Sequence, residues 1–194
     1  MIRYFSALAL LLMLSACGGG RDAQPRNLDN ACSIVSQRPA WLNDMQKTER
    51  KWGIPVAIQM ATIYHESRFV KDARTPLRFA LGVIPMGRQS SAYGFSQALD
   101  GTWKEYQRDQ GRRFARRDRF SDAADFIGWY MDETEERLGI SKGDARNQYL
   151  AYHEGRAGYA RGSYRRKSWL LRVSSEMAAR AQTYNAQLIT CGKV

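Results

Sequence analysis

The apolar positions divide the chain into helices, punctuated by short stops and one long irregular stretch. From about residue 38, Trp41, Met45, Thr48 and Trp52 recur at helical spacing on one face, and Gly53 ends the run. Pro55 suits the first turn of a second helix, predicted to reach about Arg68. Its Val56, Ile58, Met60, Ala61 and Ile63 are spread around the axis rather than confined to a stripe, which predicts a central, buried helix. Residues 70–95 break the pattern with Pro76, Gly82, Pro85, Gly87, Gly94 and the pair Ser90-Ser91. This reads as a loop with room for a short hairpin, long enough to suggest a function. Helical periodicity resumes at 102–110. Ser121 stands where a cap for the next helix belongs, with Asp122 and Asp125 in its first turn. Ala123, Ile127, Tyr130, Thr134 and Leu138 form the inner stripe of that helix, and Gly139 ends it. A helix from about Gly143 to His153 follows. The last, about 167–190, keeps Leu170, Val173, Met177, Ala181, Tyr184 and Leu188 in register. There is no internal repeat and little strand pattern. The expected fold is mainly α: a single domain over 38–194, with a loop-rich insertion after the second helix.

The first residues have a different character. Arg3, the apolar run Phe5–Leu14 and the small pair Ser15-Ala16 read as a signal peptide over 1–16, with an apolar run too short to span a bilayer comfortably. Leu14-Ser15-Ala16-Cys17 resembles a bacterial lipobox, which implies cleavage before Cys17 and lipid attachment to it. Gly18, where retention in the inner membrane would want an aspartate, favours the periplasmic face of the outer membrane. An ordinary secretory signal with an incidental Cys17 is the alternative. Residues 17–37 then read as the lipidated cysteine and a flexible tether, on the composition of GGGRDAQPRNLDN. Two cysteines remain, Cys32 and Cys191. In an oxidising compartment they are expected to pair and tie the two ends together, stabilising by roughly 4–5 kcal/mol in the chain-entropy model; two free thiols are the alternative. The formal charge is +11 over 194 residues. Arginine-rich runs at 108–120 and 159–167 suggest an anionic partner. For an exported chain that means cell-wall polymer or a membrane surface, and no nucleic-acid motif is present.

Candidate chemistry narrows quickly. His65 and His153 are each followed by glutamate, but neither continues into H-E-x-x-H, so no metal site is expected. No base and orienter can be assigned to a serine or cysteine nucleophile, and no phosphate-binding loop occurs. No cofactor is expected. Glu66 remains, in IYHESRF at the end of the most apolar helix. Partial desolvation and the negative end of the helix dipole both favour its protonated form. That suits a general acid at neutral pH. An ion pair with Arg68 or another arginine explains the residue equally well on these grounds.

IYHESRF resembles the Glu-Ser motif of SLT-type (soluble lytic transglycosylase) domains, which are similar to goose-type lysozyme. Gly94-Phe95-Ser96-Gln97 stands in the slot of the family's Gly-Leu-Met-Gln, followed by Thr102-Trp103 at a helix start. Ala151-Tyr152-His153 stands in the slot of Ala-Tyr-Asn, followed by Gly155 and Gly158. The three occur in order over residues 50–160. Phe95-Ser96 and His153 depart from the pattern, and the interval from Glu66 to Gln97 is longer than the family norm. The resemblance implies a lysozyme-like fold and a peptidoglycan glycan strand as partner. It implies cleavage of the MurNAc–GlcNAc bond, with Glu66 as acid and then base, and a 1,6-anhydro product. It further implies sugar contacts from Gln97 and the backbone of Tyr93, Gly94 and Phe95. Tyr152 would orient Glu66 or touch an N-acetyl group, and Ser67, Ser91 (or Ser90) and His153 would be further contacts. Tyr93, Phe95 and Trp103 are candidate stacking platforms, Trp103 more often core. Two other functions compete: a muramidase, with Asp100 or Glu154 as a second carboxylate, and an inactive murein-binding lipoprotein. A monomer is the default, with other cell-wall proteins as compatible partners.

Overall fold

The computed structural model describes residues 23–81 and 83–194; the signal peptide expected over 1–16 and Cys17 lie outside them. The helices are α1 (Ala31–Gln37), α2 (Pro39–Trp52), α3 (Val56–Ser67), α4 (Asp100–Asp109), α5 (Phe120–Leu138), α6 (Ala145–Glu154), α7 (Arg156–Ala160) and α8 (Ser168–Thr190). A two-stranded antiparallel ribbon, β1 (Leu77–Ala80) and β2 (Ile84–Arg88), interrupts them between α3 and α4. The mainly helical, lysozyme-like architecture expected from the sequence is therefore the one found.

Helix α3 is central. Every residue from Val56 to Tyr64 is buried, because its apolar residues point all round the axis and need neighbours on every side. It packs along α8, while α2 packs along α5 and α6 lies against α8. The α2–α5 contact is unusually close. A Cβ on Gly128 would lie 2.4 Å from Trp52 Cδ1, so only glycine fits there. The expected stops at Gly53 and Gly139 are both in the left-handed conformation that glycine adopts freely. Two aromatic clusters fill the space between helices. Trp41 stacks on Phe120 (4.3 Å) and Phe69, with Phe95 edge-on. Trp103, Tyr106, Phe126, Trp129 and Tyr130 form the second.

Two expectations about the helices change. The tether expected over 17–37 is not tether throughout. Asn30 caps α1 by accepting from Ser33 N, and Ala31, Ile34 and Val35 are buried. Leu28 O accepts the Tyr184 hydroxyl proton, and Gln187 of α8 bonds both Ala31 N and Asp29 O. The packed domain therefore begins before residue 31, since an i, i+3, i+4 apolar triplet has a groove to fill. The Cys32–Cys191 disulfide is present and joins α1 to the end of α8. Secondly, Ser121 does not cap α5. The helix starts at Phe120, and Arg119 precedes it without a side-chain cap. Asp122 and Asp125 turn inward instead. Arg112 donates to both at 2.7 Å, and Asp122 also accepts from Arg116 N.

Candidate active site

Glu66 is the penultimate residue of α3 and faces a cleft of about 460 Å³. Immediately after it the chain reverses through Arg68 and Phe69, both with positive φ. Two successive non-glycine residues in that region are strained, and Phe69 is held there by full burial of its ring against Trp41. One cleft wall comes from the 73–99 segment: Thr75, Ser90, Ala92, Gln97, Ala98 and Leu99, with Thr102 of α4. The other comes from Phe126 and Tyr130 of α5 and from Tyr152, His153 and Glu154 at the end of α6. Size does not distinguish this cleft. A hollow of about 470 Å³ lies beside Pro55 and Ala181, and one of about 540 Å³ beside Tyr64 and Arg180. Neither is lined by Glu66.

The electrostatics do distinguish it. Glu66 is half-buried, and among the described residues no cation forms an ion pair with it. Burial pushes its carboxyl up to about 7, and the nearby Tyr149 hydroxyl draws it down only in part. The ion pair with Arg68, open on sequence grounds, does not form; the Arg68 guanidinium lies over the Tyr64 ring and donates to its hydroxyl oxygen. Glu154 lines the same cleft in the opposite state. Burial raises its carboxyl, but Lys167 Nζ at 2.7 Å, the Ser163 hydroxyl and His153 more than offset this, and it stays below the usual carboxylate range.

The remaining sequence candidates separate into two groups. Gln97, Tyr152 and His153 line the cleft with Glu66. Gln97 has φ +48, and its Nε2 donates to Ala73 O and Gly94 O, so its amide is pinned at the cleft edge. The Tyr152 hydroxyl donates to Ser96 O at 2.7 Å, so it braces the 94–97 turn. His153 packs against the half-exposed Trp169. The other group supports the site from outside. Ser67 lies about 100° round the helix from Glu66; it is buried, and its hydroxyl bonds Ile63 O. Phe95 is fully buried against Trp41 and Phe120 and presents no stacking face, and Trp103 is likewise core. The Arg74 and Arg117 guanidiniums both lie over the Tyr93 ring, 4.2 and 5.4 Å from its centre. Gly94 has φ +78, and a Cβ there would sit 2.2 Å from Arg117 O, so glycine is required for the turn to close on the 112–119 loop. Ser91 Oγ accepts from Asp100 N at the start of α4, whereas Ser90 reaches the cleft. Asp100 pairs with Arg117 and is not in the lining. His65 lines the hollow beside Arg180 rather than the cleft.

Tyr149 is the residue that sequence reasoning missed. It precedes Tyr152 by three, on the same face of α6, and it shares the burial around Glu66.

A buried helix ending in a near-neutral glutamate, facing a cleft walled by a Gly-Phe-Ser-Gln turn and an Ala-Tyr helix end, now has a family to be compared with. The chain matches the transglycosylase SLT domain over residues 5–191. It belongs to that family. No curated protein matches it at a significant level. Family membership brings with it transglycosylase-type activity and peptidoglycan as the bound polymer. The departures Phe95 and Ser96 are compatible with it. Phe95 serves the core, and Ser96 is buried with its carbonyl taken by Tyr152.

Proposed function

We propose that this SLT domain is a lytic transglycosylase that cleaves the glycan strand between MurNAc and GlcNAc, with Glu66 as its single catalytic carboxylate. The observation that carries the reading is a carboxyl in the cleft, pushed up to about 7 by burial, with no cation paired to it among the described residues. Protonated Glu66 gives its proton to the glycosidic oxygen while the bond to MurNAc C1 breaks and positive charge grows at that carbon. The MurNAc C6 hydroxyl then attacks C1 and returns its proton to the Glu66 carboxylate. The ring closes as a 1,6-anhydro sugar, no water is consumed and the acid is restored. No cofactor enters this balance. Gln97, Ser90, Thr75 and His153 supply polar contacts along the cleft, and Tyr149 keeps Glu66 from rising further.

A hydrolytic muramidase would need a second carboxylate to activate water. Glu154, ion-paired to Lys167 and hydrogen-bonded by Ser163, and Asp100, tied to Arg117, are poorly suited to that role. A purely binding protein would gain nothing from an acid held near neutrality. The test is digestion of purified sacculi by the wild type and Glu66→Gln, with products weighed. Muropeptides one water lighter than reducing-end products, made by the wild type and missing with Glu66→Gln, support the reading. Reducing ends would replace it with hydrolysis, and binding without products would replace it with a scaffold.

We also place the enzyme at the periplasmic face of the outer membrane, lipidated at Cys17, six residues before the first described residue. Cys17→Ala should abolish incorporation of a labelled fatty acid into the chain.

A further inference from the structure

The wall of the cleft continues into the most exposed apolar feature among the described residues. Along the ribbon Leu77, Phe79, Ile84 and Met86 are 48–65% exposed, and at its turn Leu81 is 91% and Val83 76% exposed. A two-stranded ribbon has no core of its own, and apolar patches of this kind mark an interaction surface. The sequence says of what sort. No polar side chain occurs from Phe79 to Met86, and Arg74, Arg78 and Arg88 flank the stretch. No aspartate or glutamate occurs between Asp72 and Asp100. A sugar polymer is held by hydrogen bonds and aromatic faces, which the tip lacks. An apolar tip ringed by cations fits the boundary between acyl chains and anionic headgroups.

We propose that the β1–β2 ribbon docks on an anionic phospholipid bilayer, its tip from Leu81 to Met86 entering the headgroup–acyl boundary and Arg78 and Arg88 pairing with lipid phosphates. This contact is separate from any lipid on Cys17 and does not depend on the chemistry assigned to the cleft. The base of the ribbon is fixed to the catalytic wall. Thr75 Oγ1 donates to Ser90 O at 3.0 Å, Arg88 donates to Thr75 O at 2.6 Å, and Thr75 and Ser90 both line the cleft. Docking would therefore bring the cleft edge to the headgroup level, about 17 Å from the inserted tip, the length of a five-residue strand.

The experiment uses the full chain with vesicles of phosphatidylcholine, alone or mixed with phosphatidylglycerol, some carrying brominated acyl chains that quench nearby indoles. Because residues 5–14 are themselves apolar, total binding is not decisive and a local probe is needed. Leu81→Trp adds one indole at the tip, and the wild type with its five tryptophans is subtracted. The expected result is a blue-shifted, bromine-quenched difference signal with the mixed vesicles and little with phosphatidylcholine alone. In addition, Val83→Asp combined with Ile84→Asp in the Leu81→Trp chain should raise the lipid concentration needed for that quenched signal by at least about tenfold. An added indole that is never quenched would overturn the proposal, as would equal quenching with both lipids. A chain whose self-association, rather than vesicle binding, is lost in the aspartate variant would show that the face joins two copies and would also overturn it.

Discussion

Two carboxylates withdrawn from water, the half-buried Glu66 and the buried Asp125, sit in opposite surroundings. Asp125 accepts from Lys51, from Trp52 Nε1 at 2.9 Å, from the Tyr106 hydroxyl at 2.6 Å and from Arg112 at 2.7 Å. Burial pushes its carboxyl up, but those hydrogen bonds and charges prevail and hold it below the usual range. Glu66 has burial without the cations and rises to about 7. Asp125 fastens α2, α4, the 112–119 loop and α5 to one another and stays ionised. Glu66 keeps a proton near neutral pH, which suits the acid role proposed for it. Desolvation alone marks neither role; the number of donors and cations that answer it does.

The comparison can be broken most directly by exchanging function for stability at each site. Glu66→Gln should lower glycan cleavage by roughly 10²–10⁴-fold, the range for loss of a general acid, measured by release of muropeptides. Asp125→Ala should leave the chemistry of Glu66 in place but cost about 3 kcal/mol, because Arg112 and Tyr106 lose their partner; urea unfolding would show it. If Asp125→Ala were neutral in stability, the contrast between the two sites would fail. Glu66→Gln should conversely gain stability, by about 1–3 kcal/mol at pH 8. The sign follows from the raised folded pKa. The native state holds a proton that the unfolded chain releases at a lower pH, so wild-type stability falls as pH rises from about 4.5 through about 7. The variant escapes this loss, and the gap between them should close below pH 4.5. The smallest effect is expected from Tyr149→Phe. Without that hydroxyl the Glu66 carboxyl should rise further, moving the alkaline limb of kcat/KM, near pH 7 in the wild type, upward by about half a pH unit. A limb that does not move would assign Tyr149 to packing alone.

The sequence carried the position of Glu66 because an apolar helix with residues on every face can only be central, and a carboxylate at its end must then meet a cleft or a cation. The stops at Gly53 and Gly139 were legible for a related reason, since few residues besides glycine accept those dihedral angles. Which cation would answer Glu66 was not legible. Arg68 is two residues away, yet the left-handed turn carries it onto Tyr64. Nor did sequence reveal that Phe95 points inward, because a loop has no periodicity to say which side is buried. Residues 31–37 were obscured by the composition of their neighbours, although Ala31, Ile34 and Val35 already had helical spacing. Tyr149 was available from its spacing to Tyr152 and was missed because motif order drew the reading to the later tyrosine.

The bond between Cys32 and Cys191 also decides how the protein bears load. A pull between its two ends can lengthen only the segments before Cys32 and after Cys191. The stretch between the cysteines, which lie 159 positions apart, is covalently bypassed, and tension crosses directly from α1 to the end of α8. The helix that carries Glu66 at its end lies within that bypassed interval, so strain arriving along the chain at residue 32 need not unravel the cleft.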